Sequence, residues 1–273
     1  MKAVLFGALL CVSPACAHAA AQPSPEPSAE RRDFSATLAD GQGLTIDNPY
    51  GDVRLRFGGY AHALEIHAVV QQPAGASPIA MEPAGDATRY RFAPRLPAGA
   101  LLAEGQRIDL VAFVPLGHAV SVRTERGLIE SRGVRGDVDL SSVAGDIAIR
   151  GTQGRVRAAT GAGSIEASFD GAPPGSRQRL ETTTGNIVLA VDDRLDAALE
   201  LATSGVFATE FSLEVEPLAG QEPNKRARAV IGADKARIEL ASRRGEIRLL
   251  RRSAFTSPAG KPAEQEYGDD DSD

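Results

Sequence analysis

Apolar and polar residues alternate with period two through most of the chain, in short runs ended by glycine or proline. From Arg107, the runs Ile108-Asp109-Leu110-Val111-Ala112-Phe113-Val114-Pro115 and Val120-Ser121-Val122-Arg123-Thr124 read as strands, the first stopped by its proline. Glycines then stand at 127, 136, 145, 154 and 163, nine apart, and two residues after each comes a β-branched apolar residue: Ile129, Val138, Ile147, Val156 and Ile165. The pattern loosens but persists as Gly185 with Ile187, Gly205 with Phe207 and Gly245 with Ile247, at steps of 22, 20 and 40, the last equal to two units of 20. An internal repeat of this length predicts an array or solenoid.

Two nine-residue legs make one coil of about 18–22 residues, each leg a short strand with alternate side chains pointing inward. Each glycine is expected at a corner whose backbone conformation a Cβ would oppose. About seven coils fit between Arg107 and Leu250; stacked at about 4.8 Å they make a body of the order of 35 Å. The predicted fold class is all-β, a single-chain β-solenoid, with no helical period anywhere after the first 19 residues. The register is testable: Ile147→Asp should unfold the array, and Asp146→Ala, at a solvent-facing corner, should be nearly silent.

Before Arg107 the signal is less regular. Leu44 to Asn48, a turn at Pro49-Tyr50-Gly51-Asp52, and Val53 to Phe57 give strand, turn and strand, and Leu64 to Val70 continues as another strand. Residues 71–87, rich in Pro, Gly and Ala, read as a loop, as does the excursion Pro217 to Arg226, after which Ala227 to Leu250 resumes the array. The expected organisation is a leader over 1–19, a flexible linker over 20–32 (AQPSPEPSAE at its centre), a solenoid over 33–250 and a disordered acidic tail over 251–273. Within the solenoid, 33–106 is the less regular part and 107–250 the regular repeats.

The leader reading rests on Lys2, an apolar run from Ala3 to Val12 too short to span a bilayer, and the small-x-small pattern Ala17-His18-Ala19. Cleavage near Ala19 predicts a periplasmic or secreted protein. It also removes both cysteines, Cys11 and Cys16, so the mature chain has no thiol for a disulfide, metal or nucleophile. Lipidation at Cys16 is the weaker alternative, because Ser13-Pro14-Ala15 lacks the aliphatic residue expected three places upstream of a lipidated cysteine. No later segment is long and apolar enough to cross a membrane as a helix.

Charge excludes one class of partner. The formal net charge is −6, and Glu264, Glu266, Asp269, Asp270, Asp271 and Asp273 supply six acids without a base, so the rest sums to about zero. That argues against nucleic acid. Trp is absent and aromatics are 5%, which leaves little for an aromatic core or a sugar-stacking cleft.

The succession Ile108 to Pro115, Val120 to Gly127, Val143-Ala144-Gly145-Asp146-Ile147 and Glu181-Thr182-Thr183-Thr184-Gly185-Asn186-Ile187 resembles the bacterial "putative adhesin" family, domain of unknown function 4097. The resemblance spans roughly Asp33 to Leu250 and is strongest from Arg107 to Ile187. It implies a β-helical repeat fold on a secreted or envelope protein, and it carries no catalytic residue across.

Candidate chemistry is sparse. A calcium β-roll needs Gly-Gly-x-Gly-x-Asp corners, whereas the residues after the five evenly spaced glycines are Leu128, Asp137, Asp146, Arg155 and Ser164. An 18-residue coil stacks Asp137 on Arg155, Arg132 on Arg150 and Asp139 on Arg157, which reads as solvated cross-strand pairs rather than a catalytic carboxylate cluster. His62, His67 and His118 fall in no ligand spacing and read as surface or edge residues. The segment Val120 to Ala159 holds Arg123, Arg126, Arg132, Arg135, Arg150, Arg155 and Arg157 against five acids, a modest excess suited to anionic envelope polymers or to a mixed solvated surface. No catalytic, cofactor-binding or metal residue, and no cofactor, is assigned.

The expected function is non-enzymatic binding, adhesion or scaffolding in the cell envelope, with polysaccharide, lipid or protein as partner. The alternative is a carbohydrate-active β-helix enzyme, which an Asp/Glu cluster in a groove over the coils would favour. Strand addition at uncapped solenoid ends leaves self-association open.

Overall fold

A computed structural model describes residues 28–169 and 171–252. The expected leader, most of the linker and the tail from 253 lie outside the described residues. Every element among the described residues is a strand. The irregular part contributes β1 (Ser28–Thr37), β2 (Gly43–Asp47), β3 (Val53–Phe57), β4 (Ala63–Gln72), β5 (Ala84–Gly85), β6 (Arg89–Phe92) and β7 (Arg107–Val114). The first residues of β1 come from the stretch read above as linker. The repeats follow as β8 (Val120–Thr124), β9 (Ile129–Arg132), β10 (Val138–Ser142), β11 (Ile147–Arg150), β12 (Val156–Thr160), β13 (Ile165–Phe169), β14 (Arg177–Thr182) and β15 (Ile187–Val191). Then come β16 (Ala197–Thr203), β17 (Phe207–Thr209), β18 (Glu214–Pro217), β19 (Lys225–Ile231), β20 (Ala236–Ser242) and β21 (Ile247–Arg251).

The strands form two facing sheets. Sheet 1 runs β1-β4-β7-β3-β9-β11-β13-β15-β21-β17, and sheet 2 runs β18-β19-β16-β20-β14-β12-β10-β8-β2-β6-β5. Each coil places one strand in sheet 2 and the next in sheet 1, with parallel pairing between coils. Register gives the coil length directly: Val120, Val138 and Val156 are successive partners, as are Ile129, Ile147 and Ile165, at steps of 18. The next step, Ile165 to Ile187, is 22. The residue two places after each of the five evenly spaced glycines is buried, Ile129 and Ile165 at 0% exposure and Val138 at 3%. The core is columns of Val, Ile, Leu and Ala between the sheets, with Phe207 packed half-buried near one end.

Coil order departs from chain order at both ends. β2 and β3 lie between the coil β6–β7 and the coil β8–β9, so the N-terminal region contributes two coils to the same stack. At the other end β20–β21 slides between β14–β15 and β16–β17. Ile247 therefore pairs with both Ile187 and Phe207, and the step of 40 between Phe207 and Ile247 separates adjacent rungs, not two units of 20. The intervening residues hold the antiparallel hairpin β18–β19, so the stretch expected as an excursion loop is strand at both its ends, with only the tip from Leu218 to Asn224 between.

That hairpin, with β1 antiparallel to β4 and β5 antiparallel to β6, finishes three of the four sheet ends. The edge β18 carries Glu214, Glu216 and Pro217, and β5 and β17 are only two and three residues long. Charge, proline and brevity all discourage edge pairing. Edge pairing, which the sequence left open, is thus discouraged at β5, β17 and β18, while β1 remains a ten-residue edge.

The corner glycines have a different cause from the one expected. None of Gly127, Gly136, Gly145, Gly154, Gly163, Gly185, Gly205 and Gly245 has positive φ. Instead a Cβ on Gly145 would fall inside the carbonyl oxygen of Gly127, one on Gly163 inside that of Gly145, and one on Gly185 inside that of Gly163. The constraint is coil-to-coil approach of backbone, which only glycine permits. Three residues before most of these glycines stands a buried hydroxyl that binds both coils. Thr160 Oγ1 donates to the Gly145 carbonyl at 2.9 Å and accepts from Gly163 N–H at 3.2 Å, and Thr182 and Ser242 repeat the arrangement on Gly163/Gly185 and Gly185/Gly245.

Candidate functional site

Along β10, β12 and β14, alternation sends one set of side chains into the core and the other to the outside of sheet 2. Val138, Leu140, Val156, Ala158 and Leu180 are buried, which leaves Asp139, Arg157 and Arg179 outward on successive rungs. Asp139 is the register partner of Arg157, and Arg157 that of Arg179. The step of 22 residues between β12 and β14 is what sets Arg179 beside Arg157.

These rungs floor a groove of about 600 Å³ that reaches across β8 and β2 to Arg89. Its charged lining is Arg89, Arg155, Arg157, Arg177 and Arg179 against Asp137 and Asp139. Asp137 is committed: Oδ1 accepts the Arg155 N–H at 2.8 Å and Oδ2 its guanidinium at 2.9 Å. Arg177 leans on Glu239 at 3.2 Å and Arg179 on Glu181 at 2.5 Å, the latter hydrogen bond raising the arginine's pKa. Among the described residues Arg89 and Arg157 have no ion-pair partner within 4 Å. Arg155 and Arg177 are still 66% and 60% exposed, so their pairs are of the weakly held surface kind.

The arginine-rich segment seen in the sequence does not gather on one face. Arg123, Arg155 and Arg157 lie on sheet 2, whereas Arg132 and Arg150, paired in register, lie on sheet 1. There Arg56 binds Glu130 at 2.7 Å and Arg150 binds Glu166 at 2.7 Å. Arg135 caps the Phe57 ring at 4.7 Å. The groove instead recruits Arg89, Arg177 and Arg179 from outside that segment. Of the three expected charge stacks, Asp137 and Arg155 form an ion pair. Asp139 faces Arg157 in register without one, and Arg132 faces Arg150 as like charges.

The histidines are also distributed. His62 is exposed, 3.8 Å from Asp40, and half-buried His67 meets Asp33 at 2.6 Å. His118 is not a surface residue: it is 4% exposed, with Nδ1 at 2.7 Å from the Gln42 carbonyl and Nε2 at 3.1 Å from that of Ala61. It pins the corner before β8. Among the described residues no group of three or more His, Cys, Asp or Glu is placed to hold a metal, and no helix is long and apolar enough to cross a membrane.

The Asp residues at corners also do more than face solvent. Asp146 Oδ1 accepts the Ser164 N–H of the next coil at 2.7 Å, Ser164 Oγ accepts from Asn186 N–H at 3.3 Å, and Asn186 Oδ1 accepts from Glu246 N–H at 2.8 Å. This polar staple runs parallel to the buried hydroxyls. The polar residues directly after Gly145, Gly163, Gly185 and Gly245 were its only sequence signal.

No protein-family model matches the chain, and no curated protein is significantly similar to it in sequence. Among solved structures it is similar to a "putative cell adhesion protein" from Clostridium sporogenes ATCC 15579, at 10% identity over 81% of this chain and 100% of that one, with a TM-score of 0.51. The two share a fold. A "putative adhesin" from Bacteroides fragilis NCTC 9343 matches over 82% of this chain and 99% of its own, at 10% identity, but with a TM-score of 0.33 it superposes too loosely to say more.

Proposed function

We propose that this is an exported cell-envelope protein with a non-enzymatic, adhesion-type role, which binds its partner on an outer sheet face. The observation that carries this reading is the sheet 2 groove, where concavity and unmatched positive charge coincide while one of its two carboxylates, Asp137, is taken up by Arg155. A glycosidase needs a pair of carboxylates free to act as acid and base or nucleophile. The fold shared with the "putative cell adhesion protein" and the resemblance of the repeats to the "putative adhesin" family support the same role, as do the leader-like first 19 residues.

The test is incubation of the full chain with a bacterial envelope preparation, following retention of the protein and the length distribution of the polymers. Saturable retention with unchanged polymer length is expected. Progressive shortening would instead favour the carbohydrate-active alternative, and absence of retention would remove the binding role.

A further inference from the structure

We infer that the sheet 2 groove is a binding site for a linear anionic polysaccharide carrying carboxylates at regular intervals. This inference rests on the binding role proposed above and adds the face and the chemistry of the ligand.

Charge comes first. Five arginines line the groove against two aspartates, and Arg89 and Arg157 have no ion-pair partner among the described residues. The other three arginines are themselves exposed and pair with half-buried surface carboxylates, contacts that an incoming carboxylate can replace without opening the core. Guanidinium groups favour such an exchange, because their planar fork meets a carboxylate with two parallel hydrogen bonds.

Spacing comes second. Arg157 and Arg179 are register partners on adjacent rungs, which parallel pairing holds about 4.8 Å apart along the solenoid axis. Arg155 and Arg177 stand two residues before them on the same two rungs and line the same groove. Guanidinium groups therefore recur along the axis at the rung spacing. A linear polymer laid across the strands, with an anion at this interval or a multiple of it, engages several arginines at once, and each contact raises the effective concentration for the next.

The lining also selects against other polyanions. Its large aliphatic residues, Leu44, Val120, Val138 and Val156, are all buried, and none of the exposed large apolar residues borders it. A membrane surface would find no side chain to insert between acyl chains. The lining residues include no aromatic ring on which nucleic-acid bases stack.

The experiment is titration of the full chain with polygalacturonate, with its fully methyl-esterified neutral form, and with phosphatidylglycerol vesicles. Polygalacturonate should bind, with affinity falling as salt rises, and the ester should not. Arg157→Glu should weaken binding by at least about tenfold, the scale of one lost charge-assisted hydrogen bond. Arg132→Glu, on sheet 1, should leave it within roughly twofold, since that side chain does not line the groove. Arg157→Gln gives the same direction with a smaller loss and guards against a folding defect in the charge-reversed chain. Equal binding of the ester, equal sensitivity to Arg132→Glu, or binding of vesicles in place of polymer overturns the inference. If polygalacturonate fails while Arg157→Glu still abolishes retention on the envelope preparation, only the ligand class falls. If retention ignores both substitutions, the face-binding role falls with it.

Discussion

A corner glycine in this solenoid is held by its neighbour on the next coil. Gly145→Ala drives a methyl group into the Gly127 carbonyl and should lower stability by about 1–3 kcal/mol, the range for overpacking. Gly171→Ala, with open space around it, should leave the thermal midpoint unchanged. Asp146 carries a revised expectation: because its carboxylate takes the Ser164 N–H, Asp146→Ala should cost about 0.5–1.5 kcal/mol rather than nothing. Ile147→Asp, which buries a charge at a position 1% exposed, should still unfold the array by circular dichroism. Acid should act on the corner carboxylates as well. Asp196 is held below the usual carboxylate range by its hydrogen bond to Lys235, then by the Ala233 N–H. A lowered folded pKa means stability that is present above the unfolded value near 3.9 and lost as pH falls through the folded one. The melting-temperature difference between wild type and Asp196→Asn should therefore be full at pH 6 and shrink below about pH 4.

At the scale of elements, the residues that set the strands were plain in the sequence, and the order of the coils was not. Ile129, Val138, Ile147, Val156 and Ile165 announce inward positions because a two-sheet coil must bury one side of each strand. Every rung, however, offers a neighbour the same ladder of backbone groups and similar aliphatic columns, so periodicity is silent on which rung lies next to which. The hairpin β18–β19 stayed hidden because Pro217 and the polar, Gly/Pro-containing tip after it read as loop, and β18 is exposed along its whole length, so its Glu-Val-Glu alternation marks no core face. The groove was half legible: the 18-residue step placed Arg155 on Asp137, but the 22-residue step that brings Arg179 to Arg157 depends on the longer connection after β13. Paired cysteines read the order directly. Val188→Cys with Arg248→Cys sits on adjacent rungs and should form a disulfide under mild oxidation, whereas Val188→Cys with Ala208→Cys spans two rungs and should not. The reverse outcome would mean that the coils stack in chain order.

The described residues form a two-faced body in which the same strands build the core and display the surface. The eight coils among the described residues, at about 4.8 Å, give a length of the order of 35 Å. The faces differ in how charge is arranged: sheet 1 pairs Arg56 and Arg150 with glutamates and leaves Arg132 without an ion pair among the described residues, and sheet 2 gathers five arginines over a groove. Function in such a body belongs to a face, and a face can be footprinted. In a chain with Cys11 and Cys16 changed to serine, single cysteines at Ser121, in the groove, and at Ala148, on sheet 1, report on each face through their rate of maleimide labelling. With a saturating envelope preparation present, the Ser121→Cys thiol should be shielded and the Ala148→Cys thiol should react as in buffer. Shielding of Ala148→Cys while Ser121→Cys reacts freely would contradict the assignment of the sheet 2 groove as the binding face.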